Sequence, residues 1–255
     1  MATQLGRIIS DFPSDAYMGL AVDHSLLLLH PHNGNVATLR FWSNPRSVII
    51  GRGQVLELEV DQAFCRENGI SVCRRISGGG AVYQDEGNLN ISLVYSRGEL
   101  GSPNDVREAT RLLPDLIRES LERCGVSGLT LDDLNGIYLE GYKVSGAAAY
   151  LPRDAVLAHS TLLLSANLVN LEASLLHSEE GRRRKSRYSP TKNLPAFPME
   201  TWRSTLVQLL EARFKVSFKQ YTLTSEEIEI AERLSETMYS TDGWINEGKR
   251  ADLTD

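Results

Sequence analysis

The chain has 255 residues, of which 42% are hydrophobic and 24% are charged, and its formal net charge is −6. This composition is typical of a globular protein and argues against general nucleic-acid binding, which needs a surplus of Lys and Arg. Three cysteines without a CxxC pair indicate neither a disulfide framework nor a zinc site, and they suit a reducing cytoplasm. The apolar run at residues 26–29 is far too short to cross a membrane. We therefore expect one cytoplasmic domain spanning residues 1–255, with no membrane or nucleic-acid partner.

The first part of the chain mixes helix and strand patterns. Residues 15–29 predict a helix that starts at a Ser14 cap and runs into a strand before the turn at residues 31–34. Two strand patterns follow, at residues 36–42 and Ser47–Ile50. The short turn between these two strands predicts an antiparallel pair.

The rest of the chain continues this mixture without regular alternation of strands and helices. Further helices are predicted at residues 58–68, 105–123, 199–214 and 224–239. Further strands are predicted at residues 70–72, 81–83, 89–95, 137–139, 144 and 156–164. A basic run at residues 181–187 predicts a surface loop. The pattern favours an α+β fold of mixed or antiparallel sheets flanked by helices.

Three consecutive glycines at residues 78–80 are the most informative local feature. Without Cβ atoms, the backbone can adopt positive φ angles and approach a flat or anionic ligand closely. Arg74 and Arg75 lie just upstream and offer charge-assisted donors for phosphate or carboxylate. A flexible hairpin with solvated arginines is the alternative. The block matches neither a Walker loop nor a dinucleotide-binding fingerprint.

A second feature is Lys143, a single lysine followed by small residues. Small side chains allow a ligand to lie against the chain while the ammonium group reaches it. Downstream, His159 opens an apolar strand together with two hydroxyl residues. Taken singly, an exposed lysine at a hairpin tip and a structural histidine are the more common explanations of these two residues.

Taken together, these segments resemble the lipoate-protein ligase A family. The family block Arg-Arg-x-Ser-Gly-Gly-Gly-Ala-Val-x-x-Asp-x-Gly-Asn is matched by residues 74–88. The block Lys-Val-Ser-Gly-x-Ala is matched by residues 143–148, and His-Gly-Thr-Leu-Leu by residues 159–163 with Ser160 in place of Gly. The resemblance covers most of the chain. It implies the class II synthetase-like α+β catalytic domain of biotin and lipoate ligases, with no C-terminal accessory domain in this chain.

The resemblance also implies an activity. Lipoate or octanoate would be activated with ATP and Mg²⁺ as acyl-AMP and then transferred to a specific lysine of a lipoyl-carrier protein. The acceptor would be the E2 component of a 2-oxoacid dehydrogenase, the glycine cleavage H protein or another lipoyl carrier. In short relatives a separate small protein supplies the accessory domain, so such a partner is expected as one option.

Site residues follow from the same resemblance. Lys143 is assigned to catalysis, between the acyl carboxyl group and the α-phosphate. Adenylate binding is assigned to Arg75, Gly80, Ala81, Val82, Tyr83 and Lys143. Lipoyl binding is assigned to Arg75, Ser77, Gly78, Gly79 and His159. Supporting roles are assigned to Asp85, Asn88, Asn135 and Gly146. A lid loop would contribute Lys185 and Arg187.

One departure from the family pattern concerns a carboxylate ahead of the lysine. Where the family usually has Asn-Asp, this chain has Asn135 and Gly136. Asp132 and Asp133 lie nearby in the sequence and are candidates to substitute. The metal ligands are left open.

Two other functions stay open beside the ligase. Transferases of the same fold form a thioester on a cysteine, but the corresponding segments, residues 128–130 and 162–165, contain none. Cys65, Cys73 and Cys124 are predicted to be packing residues. A non-catalytic lipoyl-binding or adenylate-binding module is the other alternative, and retention of Lys143 with the complete glycine block argues against it.

Overall fold

The computed structural model of the protein describes residues 5–32, 34–98, 103, 105–177 and 188–248. Its strands are β1 (Leu5–Asp11), β2 (Ala37–Trp42), β3 (Ser47–Ile50), β4 (Ser71–Arg74), β5 (Val82–Gln84), β6 (Asn88–Ser96), β7 (Leu129–Leu131), β8 (Ile137–Leu139), β9 (Tyr142–Ser145), β10 (Ala147–Tyr150), β11 (Ala155–Leu163) and β12 (Ser217–Gln220). Its α-helices are α1 (Ala16–Leu29), α2 (Leu56–Glu59), α3 (Gln62–Glu67), α4 (Val106–Arg123), α5 (Leu168–Ser174), α6 (Met199–Phe214), α7 (Ser225–Leu234) and α8 (Asp242–Glu247). A 3-10 turn, His30–His32, follows α1, and a π-helical turn, Ser235–Tyr239, follows α7.

The largest sheet has six strands in the order β10-β11-β6-β2-β1-β12. β1 is parallel to β2 and β12, whereas the pairs β2–β6, β6–β11 and β11–β10 are antiparallel. Successive side chains of a strand face opposite sides of the sheet. On β2, Leu39 and Phe41 pack into a core with α4 and α6, whereas Trp42 packs into a second core with α1 and α7. Helices therefore cover both faces of this sheet.

Two smaller sheets carry the segments that the sequence singled out. In the sheet β4-β3-β5, β3 is parallel to β4 and antiparallel to β5. The connection from β4 to β5 contains residues 77–80, called the glycine loop below. The sheet β7-β8-β9 is an antiparallel meander, and β9 carries Lys143. The α+β arrangement of mixed sheets flanked by helices is thereby confirmed.

The predicted antiparallel pair of β2 and β3 is wrong, because the two strands belong to different sheets. Polar contacts hold the connection between them. Asn44 Nδ2 donates a hydrogen bond of 2.7 Å to Gln84 Oε1 of β5, and Ser43 Oγ donates one of 3.0 Å to the Asn88 carbonyl oxygen. These long-range contacts carry the chain from one sheet into the next instead of reversing it.

The first helix also differs from the prediction. Its N-cap is Asp15 rather than Ser14, since Asp15 Oδ1 accepts a 2.8 Å hydrogen bond from the Met18 N–H. α1 remains helical to Leu29 and does not run into a strand. Most of its residues are buried, because the helix packs between the large sheet and α7. Because burial nearly all round leaves no amphipathic pattern, the apolar run at residues 26–29 looks like a strand in the sequence although it is helical.

Some of the other predicted helices and strands agree with the structure and some do not. The helix expected at residues 58–68 is two helices, α2 and α3, and the Asp61 side chain caps α3 through the Phe64 N–H. β1 and β12 were not predicted. The helices at α4 and α6 are confirmed, and the last predicted helix is α7, capped by Thr224 and continued by the π-helical turn. No helix of the described ranges is long and apolar enough to cross a lipid bilayer.

Candidate functional site

The glycine loop is folded around the side chain of Arg75. The buried guanidinium donates hydrogen bonds to the carbonyl oxygens of Gly78 (2.5 Å), Gly80 (2.9 Å) and Ile49 (3.1 Å), and to Ser77 Oγ (3.1 Å). Burial lowers the pKa of Arg75 to about 10, so the side chain is still charged at neutral pH. Its donors are mostly directed at the loop itself. The predicted contact from Arg75 to a phosphate or carboxyl group stays a prediction.

His159 supports the same loop from β11. Its Nε2 atom lies 2.6 Å from Ser77 Oγ, which also accepts a hydrogen bond from Arg75 Nε. Burial, together with the neighbouring charge of Arg75, lowers the pKa of His159 to about 3. A neutral imidazole therefore braces the loop, and Ser77 joins the two side chains. The predicted contact of His159 and Ser77 with a lipoyl group stays a prediction.

Close packing at the loop requires glycine at one position outside the triplet. A Cβ atom on Gly51 would lie 2.2 Å from the Gly79 carbonyl oxygen, far inside van der Waals contact. Gly79 itself has a φ of +91°, which glycine adopts readily. Gly51 and the glycine loop are therefore packed backbone against backbone.

Lys143 projects from β9 and is half-buried. Its backbone N–H donates a 2.8 Å hydrogen bond to the Pro190 carbonyl oxygen, and its carbonyl oxygen accepts one of 3.2 Å from the Lys192 N–H. Burial lowers the pKa of Lys143, the Asp132 carboxylate opposes this effect, and the charge of Arg75 adds to it. Within the described residues, no carboxylate forms an ion pair with the ammonium group.

The residues assigned to supporting roles hold turns near the site. Asp85 accepts hydrogen bonds from the N–H groups of Gly87 (2.9 Å) and Asn167 (2.8 Å), which ties the turn before β6 to the start of α5. The Gly146 N–H donates to Thr161 Oγ1 at 3.1 Å.

Two asparagines make hydrogen bonds to neighbouring residues near the site. Asn88 Nδ2 donates to Asn90 Oδ1 at 3.1 Å within a buried group of amide side chains. Asn135 has a φ of +63°, and its Nδ2 donates to the Arg107 carbonyl oxygen at 3.4 Å. Both contacts are structural.

A cleft with about 920 Å³ of empty space, including its open mouth, lies between the glycine loop, β9 and α5. Six residues singled out by the sequence line it: Gly80, Ala81, Val82, Tyr83, Lys143 and Gly146. The lining residues that the sequence analysis missed are Glu59, Ser145, Thr161, Leu163, Leu171, Glu172, Leu175, Leu176, His177, Tyr188, Ser189 and Thr191. The site is thus a mainly apolar cleft whose lining carries the Lys143 ammonium group and two carboxylates, Glu59 and Glu172.

Other predicted site residues do not line this cleft. Arg75, Ser77, Gly78, Gly79 and His159 form or support the glycine loop, and Asp85, Asn88 and Asn135 hold the surrounding turns. The lid residues Lys185 and Arg187 lie outside the described residues. A signal for two of the missed residues did exist, since Thr161 and Leu163 follow His159 at the spacing of one strand face.

The cysteines do not contribute to the lining of the cleft. Cys65 and Cys73 are buried, Cys124 is half-buried, and none of the three lines it. Burial raises the pKa of Cys65 to about 11 and raises that of Cys73 as well, which disfavours the reactive thiolate. In the described part of the chain, no three His, Cys, Asp or Glu side chains are grouped so as to hold a metal ion.

Comparison with known sequences gives a consistent result. The family model of the lipoyl protein ligase A/B catalytic domain matches residues 15–206. Lipoate-protein ligase A subunit 1 of Thermoplasma acidophilum is 30% identical over 94% of this chain and 95% of its own. A relative from Aeropyrum pernix, classed with the lipoate-protein ligases A, is 34% identical over 89% of this chain and 87% of its own. An octanoyltransferase of Brevibacillus brevis is 28% identical over 93% of this chain and 96% of its own.

Solved structures agree with this result. A bi-partite lipoate protein ligase of Thermoplasma acidophilum, described with its E2 lipoyl domain, has a TM-score of 0.83 at 29% identity and covers 98% of this chain and 99% of its own. A Thermoplasma acidophilum structure with bound lipoic acid has a TM-score of 0.79 at 28% identity, covering 96% and 100%. A lipoate-protein ligase A bound with ATP has a TM-score of 0.78 at 29% identity, covering 97% and 99%.

The class II synthetase-like fold expected from the resemblance is confirmed by these structures. The family model covers well over half of the chain, and the first two relatives match along most of their length. This chain therefore belongs to the lipoate-protein ligase A family.

Proposed function

We propose that the protein is an ATP-dependent lipoate-protein or octanoate-protein ligase, which forms acyl-AMP and passes the acyl group to a lysine of a lipoyl-carrier protein. The observation that carries this proposal is the position of Lys143. Its side chain lines a mainly apolar cleft together with residues 80–83. The apolar lining suits a fatty acyl chain, and the ammonium suits its carboxylate and a phosphate.

The first half-reaction builds up negative charge that Lys143 is placed to stabilise. An oxygen of the fatty-acid carboxylate attacks the α-phosphorus of ATP, and the bond from that phosphorus to pyrophosphate breaks with its electron pair leaving on pyrophosphate. Charge increases on the α-phosphate oxygens and on the departing group. A fixed ammonium in a site with little water stabilises such charge, commonly by several kcal/mol.

The second half-reaction needs no nucleophile from this chain. The amine of the acceptor lysine attacks the acyl carbon, AMP leaves with the electron pair of the broken C–O bond, and the amine loses a proton. The leaving AMP carries the phosphate charge that Lys143 faced in the first step. The anhydride must be kept from water, which would otherwise hydrolyse it.

The solved relatives support the choice of substrates. One binds lipoic acid and another binds ATP, and both share this fold at 28% and 29% identity. We propose Mg²⁺ as a further cofactor, because ATP is commonly bound as its magnesium complex. Because Mg²⁺ is held largely by phosphate oxygens and water, it would enter with the nucleotide.

The closest rival is a cysteine-dependent octanoyl or lipoyl transferase, since an octanoyltransferase is among the relatives. Such an enzyme needs a thiolate beside the acyl carbon. The burial of Cys65 and Cys73, and the absence of all three cysteines from the cleft lining, disfavour it. A non-catalytic binding module is disfavoured because the cleft retains both the glycine backbone and the ammonium group.

Pyrophosphate release tests the proposal. The protein is incubated with ATP, Mg²⁺ and either octanoate or lipoate, and pyrophosphate is measured over time. We expect release with at least one acid and a loss of about 100-fold or more in Lys143→Ala, a size typical for a preorganised charge donor. Lys219→Ala, changed at an exposed lysine of edge strand β12, is the control. Absence of pyrophosphate in every reaction would contradict the ligase.

The partners are part of the proposal as well. A lipoyl-domain protein is the expected acceptor, because a structural relative is a bi-partite ligase described with its E2 lipoyl domain. That relative also supports a separate accessory protein. We expect weak pyrophosphate release by this chain on its own and a clear increase when such a protein is added. Full activity without it would exclude the accessory role. A cytoplasmic location is expected on the same grounds as before.

A further inference from the structure

A carboxylate is held rigidly in the loop that precedes β8. Asp132 Oδ1 accepts hydrogen bonds from the N–H groups of Leu134 (3.0 Å) and Gly136 (2.7 Å). The Tyr138 hydroxyl donates to Asp132 Oδ2 at 3.3 Å, and it lies 2.8 Å from Ser189 Oγ. Three donors therefore fix the orientation of this half-buried carboxylate.

The same loop lies against the end of the Lys143 side chain. A Cβ atom on Gly136 would lie 2.9 Å from Lys143 Cε and 3.3 Å from Asp132 Oδ1, so both atoms flank one glycine. In addition, Tyr138 is the cross-strand neighbour of Lys143 in the β8–β9 pair. Asp132 and Lys143 nevertheless form no ion pair among the described contacts. The ammonium group is left for a ligand in the cleft.

The charges around Lys143 show how the Asp132 carboxylate affects its protonation. Arg75 is a buried cation on the glycine-loop side, and His159 is neutral there. On the segment that pairs with β9, Lys192 forms an ion pair with Glu140 at the surface. Burial and Arg75 both work against a charged lysine, and the Asp132 carboxylate works in its favour. Glu59, Glu172, His177 and Tyr188 line the same cleft as Lys143. Asp132 is the described carboxylate whose charge raises the pKa of Lys143.

We propose that Asp132 is a positioning residue for Lys143: its fixed carboxylate keeps the ammonium charged and directed into the cleft. Gly136 is also needed for this arrangement, because a side chain at this position would displace the end of the Lys143 side chain. The inference rests on the proposed function for its catalytic meaning. Its electrostatic part concerns this chain without any ligand and is measured separately.

The titration of Lys143 tests the electrostatic part directly. Trace acetylation with acetic anhydride across a pH series, followed by mass spectrometry of the Lys143 peptide, gives the midpoint at which this amine loses its proton. An opposite charge a few ångströms away is commonly worth one to three pH units. We expect the midpoint in Asp132→Asn to lie about one pH unit below that of the unsubstituted protein, because Asn keeps the hydrogen bonds to backbone but loses the charge.

Two further variants make the result specific. Asp133→Asn removes an exposed carboxylate of the same loop and should leave the midpoint unchanged. Gly136→Ala keeps every charge but displaces the lysine, so its midpoint should also fall; it serves if Asp132→Asn fails to fold by circular dichroism. An unchanged midpoint in the folded variants of Asp132 and Gly136, or an equal fall in Asp133→Asn, would overturn the proposal.

The catalytic part is measured by pyrophosphate release as a function of pH. In Asp132→Asn we expect the fall of kcat at alkaline pH to begin about one pH unit earlier, with activity retained at lower pH. A purely structural role would lower kcat equally at every pH and contradicts the inference. If the unsubstituted protein releases no pyrophosphate, the proposed function fails, and the amine titration still decides whether Asp132 acts on Lys143.

Discussion

Arg74 and Trp244 are joined in both directions across 170 residues of chain. The Trp244 indole N–H donates a 2.7 Å hydrogen bond to the Arg74 carbonyl oxygen, and Arg74 Nε donates one of 2.9 Å to the Trp244 carbonyl oxygen. The guanidinium also donates to the carbonyl oxygens of Ile245 and Asn246 at the end of α8, where a helix terminus favours a cation. Since Arg74 precedes Arg75, α8 is tied to the base of the glycine loop.

This relationship predicts a stability difference between two tryptophans. Trp244 and Trp202 are both fully buried, but Trp202 Nε1 has no hydrogen-bond partner among the described residues. Trp244→Phe should therefore lower the free energy of unfolding by about 1 to 3 kcal/mol more than Trp202→Phe, the cost of leaving a buried carbonyl unpaired. Urea denaturation of both variants measures it. Equal losses would mean that the indole hydrogen bond contributes nothing.

A second prediction concerns the packing of Gly51 on the glycine loop. Gly51→Ala would place a methyl group 2.2 Å from the Gly79 carbonyl oxygen, a backbone atom that moves only with the loop. We expect ATP binding, measured by isothermal calorimetry, to weaken about tenfold or more, the equivalent of ~1.4 kcal/mol. Gly53→Ala is the matched control, since nothing lies within 4 Å of its added methyl. Equal affinities in the two variants would contradict a role for this contact.

A third prediction follows from the neutral state of His159. Its pKa falls from 6.5 to about 3 on folding, so the unfolded chain takes up a proton between these values and the folded chain does not. The free energy of unfolding is therefore unaffected by His159 protonation above pH 6.5, and it decreases as the pH falls from 6.5 towards 3. His159 should thus cost the protein about 2 kcal/mol between pH 7.5 and pH 5.

Urea unfolding at several pH values checks the contribution of His159. His159→Gln should flatten the dependence of unfolding free energy on pH by roughly that amount, leaving a remainder from His30, whose pKa is lowered to about 4 chiefly by burial. His32→Gln, changed at an exposed histidine, controls for the substitution itself. An undiminished slope in His159→Gln would show that the ring is not held neutral.

The sequence predicted those site residues that stand in a distinctive local pattern. Gly80, Lys143 and Gly146 line the cleft, and a glycine run or a lysine among small residues is a local signal. Leu171 and Leu175 line it too, but nothing in a sequence distinguishes a leucine beside a cleft from one in the core. Such residues become recognisable only when α5 is placed against the glycine loop.

The fold could likewise be predicted only where it depends on residues close together in the sequence. Strand and helix patterns gave the mixed α+β class, because periodicity depends on near neighbours. The separation of β2 from β3 depends on Asn44 meeting Gln84, forty positions away, and β1 pairs in parallel with β12, more than two hundred positions away. Neither contact can be recognised from the residues next to it in the sequence. The predicted antiparallel pair of β2 and β3 was therefore wrong, and β1 and β12 were not predicted.

The last prediction separates the ligase from a thioester-forming transferase. Cys65→Ala, Cys73→Ala and Cys124→Ala, combined in one chain, remove every thiol. Because none lines the cleft, we expect pyrophosphate release and acyl transfer to a lipoyl domain within about threefold of the unsubstituted protein, at a stability cost of about 1 kcal/mol for each buried position. Circular dichroism confirms folding, and intact-mass analysis of the unsubstituted protein with octanoate and ATP looks for a hydroxylamine-labile acyl adduct. Lost transfer in a folded triple variant, together with that adduct, would establish the transferase, because only a cysteine thioester explains both results.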